Sequence, residues 1–341
     1  MISPYTNAFD APPPTTAIMS LHPAPPPSIV AAGLSPAWQR IMRFASLEPG
    51  EVNRASDVQC CASGKVLNVA VALGALGAMS RAVTVMGGAT AGWTAAEFRG
   101  LGIDLVAVPT AADTRCCTTL LDDATGRTTE LVESAPPITP DELARFVAAY
   151  EGAVAGAAAV VLSGSLPAGT PVTIYRDLLE RTSCPAIVDA RGPELLAALP
   201  CRPLLVKPNR EELARTVGRP LAAAADLRVA MEELRAQGAE WVLVTDGAKP
   251  ALVLGPVGWF RIVPPRLERI VNPIGCGDCL AAGFAEAISR GLEPLEALRF
   301  GMGCAAFNCG TLLAGRLERP AVDRLAGAVE IAGITVANGK P

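Results

Sequence analysis

Histidine is almost absent from this sequence, which has His22 as its single example among 341 residues. Catalytic triads that use an imidazole as general base depend on histidine, and so do most zinc hydrolase sites. Both classes of site are therefore excluded. Any acid–base chemistry that the protein performs must be carried by carboxylates.

Positive charge is also scarce. The net charge of −4 and the isoelectric point near 5.3 give no basic field that would attract nucleic acid. Lysine occurs only at positions 65, 207, 249 and 340, so arginine supplies nearly all of the cations. A lysine that is retained inside a recognisable motif is therefore a candidate functional residue.

Long apolar runs and a secretory leader are missing as well. No segment of membrane-spanning length is free of charges and turn residues, and the N-terminus lacks a basic stretch followed by an apolar one. The ten cysteines are spread through a long alanine-rich chain, which is typical of reduced thiols rather than of a disulfide scaffold. We therefore expect a cytoplasmic protein that binds neither membrane nor nucleic acid.

The sequence does contain enough apolar residues for a large core, since half of them are hydrophobic and the mean hydropathy is +0.35. Short apolar segments alternate with helix-forming segments rich in Ala, Leu, Glu and Arg over residues 29–335. This order predicts one α/β domain with a mostly parallel sheet, helices on both faces, and ligands at the carboxyl ends of the strands. Residues 1–28, with two PPP runs, are predicted to be a disordered tail, and residues 336–341 a short C-terminal tail.

Two segments interrupt this alternation, near residues 35–62 and 112–133. The first is longer and more polar than a connection between a strand and a helix requires. The second has β-forming residues on both sides of a turn signal at 122–126, which predicts a hairpin. The two segments could pair into a small sheet of their own.

The most informative stretch is NPIGCGDCLAAGF, residues 272–284. Gly275 and Gly277 allow the backbone to turn tightly and to present N–H groups to an anion at the start of an apolar helix. Asp278 at that helix start could accept a proton from a hydroxyl beside the anion. The alternative is an ordinary turn followed by a helix N-cap.

Three further motifs carry polar residues at the ends of predicted strands or the starts of helices. SGKVLNVA, residues 63–70, places Lys65 before a helix, and its alternative interpretation is a solvated lysine at an ordinary helix start. LVKPNREEL, residues 205–213, contains Asn209 and Glu212 at the spacing of a capping box, and a capping role and a functional one are compatible. TDG, residues 245–247, follows a buried strand.

These motifs, in the order in which they occur along the chain, resemble those of the ribokinase-like carbohydrate kinases, the PfkB family. The resemblance implies a three-layer α/β/α fold with a small β-sheet lid. It implies ATP and Mg²⁺ as cofactors, with Asp278 as the catalytic base and an anion hole formed by the N–H groups of Gly275, Cys276 and Gly277. The other implied residues fall into three groups. They are Gln39, Gly64, Lys65, Asn68, Arg115 and Cys117 for the sugar phosphate, Lys207, Asn209, Thr245, Gly247 and Asn308 for ATP, and Glu212 for Mg²⁺ through water.

Within the family, the motifs are most similar to those of the tagatose-6-phosphate kinase and 1-phosphofructokinase branch. The expected reaction transfers the γ-phosphoryl group of ATP to tagatose 6-phosphate, fructose 1-phosphate or fructose 6-phosphate, giving a bisphosphate. Arg115, in the motif TRCC at residues 114–117, would bind the phosphate already on the sugar, since a guanidinium fork suits a phosphate monoester. In many members the lid also forms a dimer contact, so a homodimer is a further expectation.

The sequence departs from the family pattern at several positions. Gln39 stands where hexose-phosphate kinases have an acid that binds sugar hydroxyls, and Ser63 and Val66 replace glycines on either side of Lys65. These departures leave open a non-catalytic sugar-phosphate sensor on the same fold.

Cys276 and Cys279 form a CxxC at a helix start, where thiol pKa values fall, and this would suit a redox enzyme. The flanking residues match the kinase signature better. We also hypothesise that oxidation of the cysteines in or beside these motifs inactivates the protein.

Overall fold

The chain forms two sheets of very different size in a computed structural model that describes residues 28–335. The predicted disordered tail, apart from Ser28, and the predicted C-terminal tail lie outside the described residues. The domain limits at 29 and 335 stay predictions.

The larger sheet has ten strands in the order β14-β13-β12-β11-β10-β9-β8-β1-β4-β5. Pairing is parallel from β11 through to β5 and antiparallel among β11, β12, β13 and β14. Its strands are β1 (Ile29–Ala32), β4 (Ser80–Met86), β5 (Asp104–Pro109), β8 (Ala159–Ser163), β9 (Ala186–Asp189), β10 (Leu205–Val206), β11 (Trp241–Asp246), β12 (Lys249–Gly255), β13 (Gly258–Val263) and β14 (Glu330–Ile334).

The smaller sheet has the order β3-β2-β6-β7. It consists of β2 (Ala37–Phe44), β3 (Asp57–Ser63), β6 (Cys116–Asp122) and β7 (Arg127–Val132). These strands come from the two segments that interrupt the alternation. The segments join where β2 runs parallel to β6, and β6 and β7 form the predicted hairpin.

Ten α-helices connect the strands of the described part of the chain. They are α1 (Lys65–Ala75), α2 (Gly88–Leu101), α3 (Pro140–Val154), α4 (Ile174–Leu179), α5 (Gly192–Ala198), α6 (Arg210–Val217), α7 (Ala224–Ala236), α8 (Cys276–Ser289), α9 (Pro294–Cys309) and α10 (Arg319–Gly327), with a 3₁₀ turn at Leu199–Cys201. None of these helices is long and apolar enough to cross a membrane.

Alternating residues of the central strands enter two separate cores, because successive side chains of a strand point to opposite faces. Ile29 and Ala31 of β1 belong to the core that also contains residues of α1, α8 and α9, whereas Val30 and Ala32 belong to the core that contains residues of α3, α4 and α7. Such a strand is apolar at every position, as β1 is. The predicted three-layer α/β/α architecture with a small second sheet is confirmed.

Candidate active site

A cavity of about 470 Å³ lies at the carboxyl ends of the parallel strands, between them and the smaller sheet. Every residue that the sequence predicts for the site lines this cavity, with one exception. Those that line it are Gln39, Gly64, Lys65, Asn68, Arg115, Cys117, Lys207, Asn209, Glu212, Thr245, Gly247, Gly275, Cys276, Gly277 and Asp278. The exception is Asn308.

The glycine loop before α8 is held in a conformation that side chains would disturb. Gly275 has φ 81°, in the left-handed region, and a Cβ on it would lie 2.5 Å from the Cβ of Ala314. A Cβ on Gly277 would lie 3.1 Å from the Nζ atom of Lys207. The bare backbone at the start of α8 therefore approaches an ammonium group, which makes a polar cradle suited to phosphate.

Asp278 is buried in the first turn of α8 and is only 6% exposed. Its Oδ2 atom accepts a hydrogen bond of 2.8 Å from Asn68 Nδ2. Burial, with a smaller contribution from the charge of Asp189, raises the pKa of Asp278 to about 6, although Lys65, Asn68 and Lys207 oppose the shift. The carboxylate is thus ionised at neutral pH and is a stronger proton acceptor than an exposed aspartate.

Asp189, which the motifs do not identify, organises both lysines of the cavity. It ends β9 and is fully buried, with Oδ1 3.0 Å from Lys65 Nζ and Oδ2 3.2 Å from Lys207 Nζ. Burial opposes its ionisation, but the two ammonium groups outweigh burial and hold the pKa of Asp189 below its usual value. The available signal was a carboxylate at the carboxyl end of the apolar strand AIVD, where ligands of parallel sheets bind.

Lys65 also contacts Glu212, whose Oε1 atom is 3.4 Å from its Nζ atom. Burial by itself disfavours the charge of Lys65, yet Asp189, Glu212 and Asp278 together raise its pKa. Glu212, Lys65, Asp189 and Lys207 therefore form a chain of alternating charge in the cavity, with the Asp278 carboxylate close enough to both lysines to be affected by their charge. The positive charges are fixed in place before any anionic ligand arrives, which is the arrangement that electrostatic catalysis needs.

Asn209 and Glu212 form the predicted capping box at the start of α6. The Asn209 side chain accepts from the Glu212 N–H at 2.8 Å, and Glu212 Oε2 accepts from the Asn209 N–H at 2.9 Å. Both residues also line the cavity, so the capping and the functional interpretations hold together.

The donor set suits a magnesium ion that arrives with a nucleotide. Among residues 28–335, no group of three or more His, Cys, Asp or Glu side chains could hold a metal by itself. Magnesium in nucleotide sites is usually bound through one or two carboxylates, waters and phosphates. Glu212 could serve that role because it lines the cavity. Its Oε2 atom accepts from the Asn209 N–H, which fixes the position of the carboxylate.

Gln39 and Arg115 border the cavity from the side of the smaller sheet. Gln39 is buried and donates from Nε2 to Thr119 Oγ1 at 2.6 Å. Arg115 donates to three backbone carbonyls, those of Pro36, Glu133 and Ser35, at 3.0–3.2 Å. Three of the five N–H groups of Arg115 are therefore committed to joining β6 and β7 to the segment before β2.

Asn308 does not line the cavity, contrary to what the motif resemblance implies. It is 1% exposed, donates to the Ile274 carbonyl at 2.9 Å and accepts from the Gly315 N–H at 2.9 Å. The Nδ2 group thus holds the glycine loop from behind, and the Oδ1 atom binds the segment that follows α9. The predicted role of Asn308 in binding ATP stays a prediction.

The CxxC sequence does not form a dithiol pair. Cys279 is fully buried, and the sulfur nearest Cys276 is that of Cys309, at 2.9 Å. The contact with Cys309 and burial raise the pKa of Cys276, and burial raises that of Cys279. An oxidoreductase with a reactive Cys276–Cys279 pair is therefore disfavoured, while inactivation by oxidation stays a prediction.

One family model and several solved structures match this chain. The model of the pfkB family of carbohydrate kinases matches residues 34–319. Phosphofructokinase-2 from Escherichia coli, in complex with substrates and products, is 25% identical with a TM-score of 0.80, over 88% of this chain and 98% of that one.

Two other solved structures share the fold at lower identity. A possible 1-phosphofructokinase from Thermotoga maritima is 23% identical with a TM-score of 0.81, over 90% of this chain and 100% of that one. Ribokinase from Arabidopsis thaliana, complexed with ribose and ATP, is 22% identical with a TM-score of 0.68, over 88% of this chain and 98% of that one.

Proposed function

Because the chain belongs to the pfkB family of carbohydrate kinases, we propose that it transfers the γ-phosphoryl group of ATP to a hydroxyl of a ketohexose monophosphate, giving a bisphosphate. The observation that carries this proposal is Asp278, a buried carboxylate with a raised pKa at the mouth of a glycine loop that faces Lys207. We expect the acceptor to be tagatose 6-phosphate, fructose 1-phosphate or fructose 6-phosphate.

In the proposed reaction Asp278 accepts the proton of the acceptor hydroxyl. The hydroxyl oxygen forms a bond to the γ-phosphorus of ATP as the bond between that phosphorus and the bridging oxygen breaks, and ADP leaves with the electron pair. The N–H groups of Gly275, Cys276 and Gly277 would donate to the oxygens of the transferred group, where charge develops.

Lys65 and Lys207 would also stabilise the charge that develops on the transferred phosphoryl group. Asp189 fixes both ammonium groups and so reduces the reorganisation that the transfer requires. A bound Mg²⁺, held through water by Glu212, would neutralise charge on the nucleotide phosphates. The smaller sheet covers the cavity with Gln39 and Cys117 and would limit the access of water.

A homodimer through the smaller sheet is part of the proposal. Leu131 of β7 is 56% exposed and lies on the face of the sheet opposite to Val132, which lines the cavity, so it is a candidate for this contact. We further expect the protein in the cytoplasm, as its thiol content suggests.

The proposal is tested by incubating the protein with ATP and Mg²⁺ and, separately, with each of the three sugar phosphates and with unphosphorylated fructose and tagatose. We expect ADP release with at least one sugar phosphate and a bisphosphate product in the ³¹P NMR spectrum. Asp278→Asn, confirmed as folded by circular dichroism, should lose turnover by a factor of about 10² or more.

Release of ADP with none of the sugars would refute the proposed ketohexose-phosphate kinase activity. If calorimetry then showed tight binding of a sugar phosphate, the protein would be a non-catalytic sensor on the same fold.

A further inference from the structure

A second cavity, of about 270 Å³, adjoins the first on the side away from the glycine loop. Lys65, Arg115, Asp189 and Glu212 line both cavities, so a ligand can extend from one into the other. Among the residues that line the second cavity but not the first are Ser35, Ser165 and Arg191.

Arg191 differs from Arg115 in how its guanidinium is used. Arg191 lies two residues after Asp189, the last residue of β9. Its backbone is extended and the residue is exposed. Within residues 28–335, no hydrogen bond or ion pair of its side chain is present, whereas Arg115 donates to three carbonyls of its own wall. Of the two arginines at this cavity, Arg191 thus has its whole donor fork available for a ligand.

The charges around the cavity favour an anion over a neutral group. Lys65 and Lys207 offset the charges of Asp189 and Glu212, the carboxylates that they contact, which leaves Arg115 and Arg191 in excess. Glu130 also borders the cavity, and burial raises its pKa, with Arg115 opposing the shift.

Two hydroxyls also border the cavity. Ser35 Oγ donates to the Ser165 carbonyl at 2.5 Å, whereas Ser165 Oγ donates to Ser35 Oγ over a long 3.4 Å, a bond that a phosphate oxygen could replace. Cations and hydroxyls together are the usual environment of a phosphate monoester.

We propose that Arg191 is the residue that recognises the phosphate already present on the acceptor sugar, while Arg115 holds the wall of the cavity in place. The inference rests on the proposed function, because it assumes that the sugar lies in the first cavity beside Asp278 and extends its phosphate into the second. Arg191 then determines the preference for phosphorylated over free sugars.

The experiment compares wild type with Arg191→Ala and Arg191→Lys. Arg261→Ala is the matched control, since Arg261 is an exposed arginine of β13 that lines neither cavity. Steady-state kinetics are measured with the sugar phosphate that wild type uses, and calorimetry measures the Kd of fructose 6-phosphate, fructose 1-phosphate and tagatose 6-phosphate without nucleotide.

For Arg191→Ala we expect the KM and Kd of the sugar phosphate to rise roughly 10- to 100-fold, as the loss of charge-assisted hydrogen bonds predicts. The KM of ATP and the affinity for an unphosphorylated sugar should stay unchanged. Arg191→Lys should lie between Ala and wild type, because a point charge replaces the bidentate fork. Arg261→Ala should match wild type throughout.

Each failure has a distinct signature. Turnover of a sugar phosphate with the same KM in wild type and Arg191→Ala would overturn the inference and leave the proposed function standing. Binding that depends on Arg191 but leads to no turnover would refute the proposed function and support the inference. If wild type bound none of the three sugar phosphates, the inference would be wrong.

Discussion

Removing the hydrogen bond between Asn68 and Asp278 should move the acidic limb of the pH–rate profile to higher pH. The Asn68 amide donates to the carboxylate at 2.8 Å and lowers a pKa that burial has raised to about 6. Asn68→Leu has nearly the same volume but has no donor. The ionised form of Asp278 would then lose a partner while the protonated form would not, so the pKa must rise further.

The size of the pKa shift of Asp278 follows from the strength of its hydrogen bond with Asn68. A hydrogen bond to a charged group contributes about 1.5–3 kcal/mol, which at 1.36 kcal/mol per unit corresponds to a rise of roughly one to two pKa units. The limb should therefore move from about pH 6 in wild type to roughly pH 7–8 in the variant. At pH 6.5 this change alone lowers kcat/KM by roughly 3- to 25-fold, and at pH 9 it has almost no effect.

The assay is kcat/KM measured from pH 5 to 9 by coupled ADP release, since this ratio reports ionisations of the free enzyme and the free substrate. The phosphate of a sugar phosphate also titrates near pH 6, but its contribution is the same for both enzymes and cancels in the comparison. Weaker sugar binding in the variant would lower kcat/KM equally at every pH, so the position of the limb is the informative quantity.

Ser63→Ala is the control. Ser63 donates to the other end of the Asn68 amide at 3.2 Å and does not touch the carboxylate, so the limb should move by less than about half a unit. A limb in Asn68→Leu that coincides with that of wild type, or that lies at lower pH, would show that Asp278 is not the group that titrates.

Two further predictions concern stability and the glycine loop. Asp189→Asn should lower the free energy of unfolding, measured by urea denaturation, by about 3–5 kcal/mol, because it leaves the Lys207 ammonium buried without an anion. Adding Lys207→Met to Asp189→Asn should restore most of the stability but not the activity, and a double variant no more stable than the single one would contradict this account. Gly275→Ala should abolish turnover, because its Cβ would overlap the Cβ of Ala314 at a positive φ. Gly218→Ala, at φ 68° with open space around the new Cβ, should cost about 1 kcal/mol of stability and leave turnover unchanged, and equal activity of the two variants would count against the loop's role.

Local patterns in the sequence predicted the architecture, and the motif resemblance predicted most of the residues that line the cavity. Strands such as β1, apolar at every position, could only lie in the centre of a sheet that is covered on both faces. The ends of parallel strands meet at one edge, where ligands were expected, and Lys207 and Thr245, which the motif resemblance implies for ATP, line the cavity there with the glycine loop. The capping box at Asn209 and the hairpin after Arg115 were likewise predicted from spacing alone.

The chemistry of individual side chains was decided by tertiary contacts between residues that are far apart in sequence. In the sequence Asp189 is simply a carboxylate at the end of a strand, whereas in the fold it lies between two lysines. Arg115 and Arg191 carry the same guanidinium, but only the fold determines that carbonyls occupy the first and not the second. Asn308 is withdrawn from the cavity by packing behind the glycine loop. Sequence determines which groups stand at the ends of strands and at the starts of helices, because secondary structure and turn conformation depend mainly on local sequence. Strand order, partners, burial and pKa values depend on the whole packed molecule.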